Sequence, residues 1–322
     1  MTTSNASNGV QSSSVLTIAA GPSGIGKTTD LILTWPRALF FCSPGAVKPA
    51  RQFLGRNLEP WQIVHVRTIN DVLLHLQTLT TDGTLQQSSA VVVDDLSILA
   101  ESSYLDLKAQ YNASRTFAMW DDLKRQLQSL REWLRHLNLH ASCNAHLAVP
   151  ETDSNGVFHK GGPSMPSKKM RAQVPHIADL VLVAEAKADR KPWGAVYRCD
   201  PPNPQWHVKD RHGVCSGIMP LNTGEILRAA GYAVPRLPGL EWQDAAADKI
   251  AQRLKEGQDP TTVWSESWEK LASQGVFNGH VYMALRDGMD RHAIQTKQQN
   301  GLKSLFTSGK SASIGGLNVK HS

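Results

Sequence analysis

Short apolar runs alternate with longer segments of helical period along the first two thirds of the chain. Val15-Leu16-Thr17-Ile18-Ala19-Ala20 reads as a buried strand. A glycine-rich turn follows, and Thr29 to Leu33 opens a helix that Trp35-Pro36-Arg37 breaks. Ala38 to Cys42 is a second buried strand, closed by Ser43-Pro44-Gly45, and Ile63 to Val66 is a third. Thr68-Ile69-Asn70-Asp71 has the spacing of a capping box and predicts a helix through Val72, Leu73, Leu76 and Leu79, ending near Asp82-Gly83. Ala90-Val91-Val92-Val93-Asp94-Asp95 is a strand that ends in acid. Glu101 to Thr116 is polar and reads as a partly mobile connection.

Leu123, Leu127, Leu130, Leu134 and Leu137 recur at spacings of four and three, one face of a helix over about 119–137, flanked by Trp120 and Trp133. Leu139 to Val149 returns to strand and carries Asn144 and His146 near its end. Asp179 to Ala184, Gly194 to Cys199 and Gln205 to Lys209 predict three more strands, the last two joined through Pro201-Pro202-Asn203-Pro204. After a break at Pro235 to Pro238, three short helices are expected. The first spans Glu241 to Glu256, the second starts at Asp259-Pro260 with Asp as cap and Pro as first residue, and the third runs from Val276 to His292. The expected divisions are a disordered leader at 1–14, an α/β core at 15–234, a helical region at 239–294 and a basic flexible tail at 295–322.

Composition narrows the class only a little. The chain has 322 residues, 41% of them hydrophobic, enough for a sizeable core and an appendage. A net charge of +6 permits a nucleic-acid partner without demanding one. The four cysteines are widely spaced and suit neither a zinc site nor a disulfide framework, which points to reduced thiols in a cytoplasmic protein. No apolar run approaches 18 residues, so no membrane span is expected.

The candidate chemistry begins at Gly21-Pro22-Ser23-Gly24-Ile25-Gly26-Lys27-Thr28, a G-x-x-x-x-G-K-[ST] turn between strand and helix. Glycines let the backbone curl so that N–H groups point inward, and the helix start adds positive potential. Gly21, Ser23, Gly24, Ile25, Gly26, Lys27, Thr28 and Thr29 are the candidate phosphate-binding residues. Lys27 would reach the β- and γ-phosphates, and the Thr28 hydroxyl would hold Mg²⁺. Asp94, about 65 residues on, is the second candidate Mg²⁺ ligand. Asp95 either polarises an attacking water or caps the turn after the strand. His146 either senses a γ-phosphate or is a histidine satisfied in the core. Ser154 to Ala178 holds no Asp or Glu but carries Lys160, Lys168, Lys169 and Arg171. It reads as a mobile cationic arm, contacting nucleic-acid phosphates or simply solvated.

This order of parts, ending in Lys209-Asp210-Arg211-His212-Gly213, resembles the RecA-like P-loop ATPases. It is similar in particular to those of bacteriophages, some of which act in single-strand annealing. The resemblance spans roughly Leu16 to Pro220. It implies a mostly parallel sheet flanked by helices, ATP and Mg²⁺ as cofactors, single-stranded DNA as partner, and a ring or filament of copies. It also implies a bacterial or phage-infected cell, with a single-strand-binding or replication protein as a further partner. Lys209 and Arg211 would reach a neighbour's γ-phosphate, and loops at about 101–116 and 152–175 would face DNA. A helicase-like motor or loader, and a nucleotide-gated interaction protein without turnover, are the alternatives. The chain departs from the family in one place. The glutamate commonly found after the second strand is replaced by Cys42-Ser43-Pro44.

Overall fold

In the computed structural model the described residues are 14–48, 51–55, 59, 62–111, 115–186 and 195–308, with backbone alone at 51–52 and 301–308. The expected leader and the end of the tail lie outside them. The strands are β1 (Leu16–Gly21), β2 (Leu39–Cys42), β3 (Ile63–His65), β4 (Ala90–Asp94), β5 (His140–Ala148), β6 (Glu151–Thr152), β7 (Phe158–His159), β8 (Gly162–Pro163), β9 (Leu180–Ala186), β10 (Ala195–Arg198), β11 (Lys209–Asp210) and β12 (Ile218–Pro220). The helices are α1 (Lys27–Thr34), α2 (Arg51–Leu54), α3 (Ile69–Thr81), α4 (Leu96–Gln110), α5 (Thr116–His136), α6 (Lys168–Ile177), α7 (Thr223–Ala229), α8 (Trp242–Lys255), α9 (Pro260–Ala272) and α10 (Asn278–Ser308).

The main sheet runs β12-β10-β9-β1-β5-β4-β2-β3. Its six strands from β9 to β3 are parallel to one another, and β10, β12, β11 and the short β8 add antiparallel edges. One strand, β5, separates β1 from β4. This is an α/β architecture, a mostly parallel sheet flanked by helices. Strand alternation divides the apolar side chains between two layers. Val92, Ala19 and Leu182 pack on one face with Leu31, Trp35 and Ile226. Val91, Val93 and Ile18 pack on the other with Val72, Leu76, Leu130 and Leu134.

Local chemistry sets several boundaries. The Thr68 hydroxyl accepts from the Asp71 N–H at 3.2 Å, and the Asp71 carboxylate accepts from the Thr68 N–H at 2.9 Å, which closes the capping box of α3. Asp259 accepts from the Thr262 N–H at 2.9 Å, with Pro260 opening α9. Among the described residues no helix is long and apolar enough to cross a membrane.

Three expectations are corrected. Residues 101–110 belong to α4 and are not a loop. Its capped start and the spacing of Leu96, Leu99, Ala100, Ser103 and Leu107 bury one face, and the Ser103 hydroxyl accepts from the Ile69 N–H at 2.9 Å. The acid-free stretch 154–178 is folded. It forms β7, β8 and α6, because β8 pairs with the end of β5 and Met165 and Val174 enter the core. Gly161 donates to the Gln205 carbonyl and accepts from the His207 N–H, both at 2.8 Å, which ties the stretch to the segment before β11. Finally, α10 continues through Ser308, so 295–308 is helix where a flexible tail was expected. Ile294 is buried, and no proline interrupts the run.

Candidate functional site

Parallel register brings the carboxyl ends of β1, β5, β4 and β2 to one edge, where Gly21 pairs with His146 and Cys42 with Asp94. The chain leaves β1 through two glycines in the left-handed region, Gly24 at φ 75° and Gly26 at φ 103°. A side chain would be strained at either position. Gly21 is needed for a different reason. A Cβ there would stand 2.7 Å from the Ala184 Cβ and 3.3 Å from the Lys27 Cδ.

Lys27 opens α1 and is only 7% exposed. Its ammonium donates to the Gly21 carbonyl at 2.8 Å and the Pro22 carbonyl at 2.9 Å. Burial lowers its pKa, while Asp95 and Asp94 act in the opposite direction. The Thr28 hydroxyl donates to one Asp94 carboxylate oxygen at 2.8 Å. The other oxygen accepts from the Asn144 amide at 2.9 Å. Asn144 is wholly buried on β5 and fixes the plane of the carboxylate, and its own Oδ1 is a buried atom with no hydrogen-bond partner. Thr28 and Asp94 are thus hard oxygen donors in mutual contact at the end of the loop, the donor type Mg²⁺ takes.

Asp95, next to Asp94, caps α4, accepting from the Ser97 N–H at 2.7 Å and the Ile98 N–H at 3.3 Å. Burial raises its pKa, with the His146 imidazole opposing at 3.5 Å. The His146 side chain is 48% exposed at the mouth of the site, and the His146 backbone N–H donates to the Ser97 hydroxyl at 2.9 Å. Cys42 occupies the end of β2 where an acid would stand, and burial beside Asp94 pushes its thiol up to about 12.

The structure gathers Gly21, Gly24, Gly26, Lys27, Thr28, Asp94, Asp95 and His146 at one edge. Lys209 and Arg211 do not join them. They lie where β9 begins, at the opposite end of the sheet from the Gly21 turn. Lys209 donates to the Pro175 carbonyl at 2.7 Å, and Arg211 pairs with Asp179 at 2.8 Å within the same chain. Lys160 donates to the Asn203 carbonyl at 2.6 Å. Lys168 and Arg171 face Glu151 at 3.4 and 3.7 Å, and Lys169 is exposed on α6.

One residue beside the site was missed in the sequence. Asp30, three positions after Lys27, is buried beneath α1. It accepts from the Tyr197 hydroxyl at 2.9 Å, the Thr223 hydroxyl at 2.7 Å and the Arg286 guanidinium at 2.5 Å. An acid on the same helix face as the buried Leu31 and Leu33 was the available signal.

Solved structures similar to this chain include two of low identity. A KaiC-like protein of Pyrococcus horikoshii is 12% identical, with a TM-score of 0.35 over 57% of this chain and 77% of its own. A RadB recombinase is 20% identical, with a TM-score of 0.36 over 57% of this chain and 79% of its own. No curated protein matches. The AAA domain family matches residues 15–212, more than half of the chain. With that match and with a phosphate-loop turn leading into α1, the chain belongs to the AAA domain family.

Proposed function

We propose that this P-loop protein binds ATP with Mg²⁺ at the Gly21–Thr28 turn and uses the bound state to act on single-stranded DNA, in annealing or strand exchange, as a ring or filament of copies. The observation that carries the nucleotide reading is the convergence of Lys27, Thr28 and Asp94 at the mouth of a turn built on left-handed glycines. The loop amides and the start of α1 hold phosphate oxygens. Lys27 exchanges its two carbonyl partners for the β- and γ-phosphates, and Thr28 and Asp94 hold the metal, whose charge offsets that of the phosphates. Asn144 keeps the Asp94 carboxylate in one orientation. His146, exposed at the mouth and tied to Asp95, senses the γ-phosphate.

Turnover is slow in this account. Asp95 is engaged in capping α4, and β2 ends in Cys42, so among the described residues at the site no unengaged carboxylate stands ready to activate water. The same observation favours a second reading, a nucleotide-gated interaction protein that binds ATP without turnover. For DNA, the support is α6, where Lys168 and Lys169 are exposed and Lys168 and Arg171 pair with Glu151. Arg211, half exposed, serves a neighbour's site by leaving Asp179 for a phosphate.

The test is ATP hydrolysis with and without single-stranded DNA, and DNA binding across a salt series. Affinity that falls as salt rises, and turnover that responds to DNA, support the DNA role. Salt-independent binding and unchanged turnover refute it. ATP binding without phosphate release in either condition selects the second reading, and strand displacement would select a helicase-like motor or loader instead.

A further inference from the structure

A cavity of about 510 Å³ opens beside the phosphate turn, between α1, the end of β12 and α10. Its size falls in the range of small-molecule sites, and its lining is largely apolar. Gly26 and Thr29 form the wall nearest the turn, Leu221 and Ile218 a second wall, and Tyr282, Met289 and Ala293 of α10 the third. The Tyr282 ring packs on Phe53 with centroids 5.2 Å apart, which gives the cavity a fixed aromatic side.

The walls are tied to the phosphate turn rather than merely near it. Leu221 comes so close to Gly26 that a Cβ at Gly26 would be 3.5 Å from the Leu221 Cδ2. Arg286 of α10 donates to the Leu221 carbonyl at 2.6 Å and pairs with Asp30 of α1 at 2.5 Å. One guanidinium therefore joins the helix that follows the loop, the segment that abuts the loop and the helix that closes the cavity.

The turn has two flanks. Asp94, Asn144 and His146 occupy one, the flank where Thr28 meets its carboxylate partner. A triphosphate lying along the turn with its terminal phosphate on that side must emerge on the other, at Gly26 and Thr29, which is the entrance to this cavity. We infer that the cavity holds the purine base and ribose of the bound nucleotide, so that α10, far along the chain, forms a wall of the nucleotide site. This rests on the ATP reading above. The base lies between the Leu221 side and the Tyr282–Met289 side, and the charged rim of Arg286 and Asp290 faces the sugar.

The experiment compares ATP with inorganic tripolyphosphate, each with Mg²⁺, on the full-length chain and on Ala293→Trp, a substitution that fills the cavity. The expected result is ATP bound about tenfold or more tightly than tripolyphosphate by the native chain. In Ala293→Trp the ATP affinity drops to the tripolyphosphate value, and tripolyphosphate binding is unchanged. Equal affinity for the two ligands, unaltered by Ala293→Trp, overturns the inference and leaves the phosphate-loop reading intact. Failure of the native chain to bind either ligand overturns both. Photolabelling of the native chain with 8-azido-ATP supplies a readout that needs no variant. Label within 278–297 or 218–221 supports the cavity, and label confined to other segments refutes it.

Discussion

Removing the Arg286 guanidinium separates the C-terminal helices from the loop helix at one buried point, so Arg286→Met offers a quantitative test of how the two parts are joined. Both partners are buried, with side-chain exposures of 9% for Arg286 and 1% for Asp30. Breaking a buried ion pair by removing one partner costs about 3–5 kcal/mol. Asp30 keeps the Tyr197 hydroxyl at 2.9 Å and the Thr223 hydroxyl at 2.7 Å, so its charge is not left bare and the low end, about 3 kcal/mol, applies. The Leu221 carbonyl loses its 2.6 Å donor, which adds about 1 kcal/mol. A total near ~4 kcal/mol lowers the melting temperature by about 8 °C, at roughly 2 °C per kcal/mol for a chain of this size. Urea unfolding of the native chain, Arg286→Met, Asp30→Asn and the double variant closes a thermodynamic cycle. The predicted coupling between the two positions is about 2–3 kcal/mol. Effects that add within about 0.5 kcal/mol would show that the pair is not the joint the structure describes.

Further outcomes follow from the same contacts. Burial pushes the Asp290 carboxyl up to about 7, with Asp287 and Glu225 reinforcing and Arg286 and Asn222 opposing. Its folded pKa lies above the unfolded one, so the folded chain holds an extra proton between about pH 4 and 7. That contribution to stability is present below about pH 4 and lost as pH rises through 7. Asp95, also raised by burial, acts in the same direction. Asp290→Asn therefore shows a shallower fall in stability from pH 4 to 7 than the native chain, measured by urea midpoints at each pH, and an identical slope refutes the assignment. Gly21→Ala places a methyl 2.7 Å from the Ala184 Cβ and should cost about 1–3 kcal/mol by thermal unfolding, together with weakened ATP binding. A fully stable Gly21→Ala protein would mean that the close approach of β1 to β9 is relieved elsewhere. Thr68→Ala removes the capping oxygen of α3 and should lower stability by about 1 kcal/mol while ATP affinity stays unchanged.

Where one local rule governed a segment, the sequence was a sufficient guide. The loop, the valine strand ending in Asp94, the capping box at Thr68 and the Asp259-Pro260 start each depend on contacts within a few residues, and each lies where its pattern placed it. The leucine stripe of α5 was legible for the same reason, since Leu123, Leu130 and Leu134 are buried as their spacing requires. Segments that depend on distant partners were not legible. Nothing near Gly161 announces that Trp206 will lie against it, and a Cβ there would stand 2.4 Å from that ring. That contact helps turn an apparently mobile basic stretch into β8 and α6. Helix α4 was obscured because its inward face includes serines. Ser103 is polar in composition, yet it is buried with its hydroxyl accepting from the Ile69 N–H of α3. Asp30 was missed because its three partners come from β10, α7 and α10, between 167 and 256 positions along the chain.

The account stands on Lys27, and equilibrium binding of Mg²⁺–ATP to the native chain and to Lys27→Ala tests it most directly. Losing a charged hydrogen-bond donor to the phosphates is worth about 1.5–3 kcal/mol. Calorimetry should therefore show ATP binding by the native chain and an affinity roughly ten- to 150-fold weaker in Lys27→Ala, with both proteins equally folded. Equal ATP affinity in the two proteins would contradict the account.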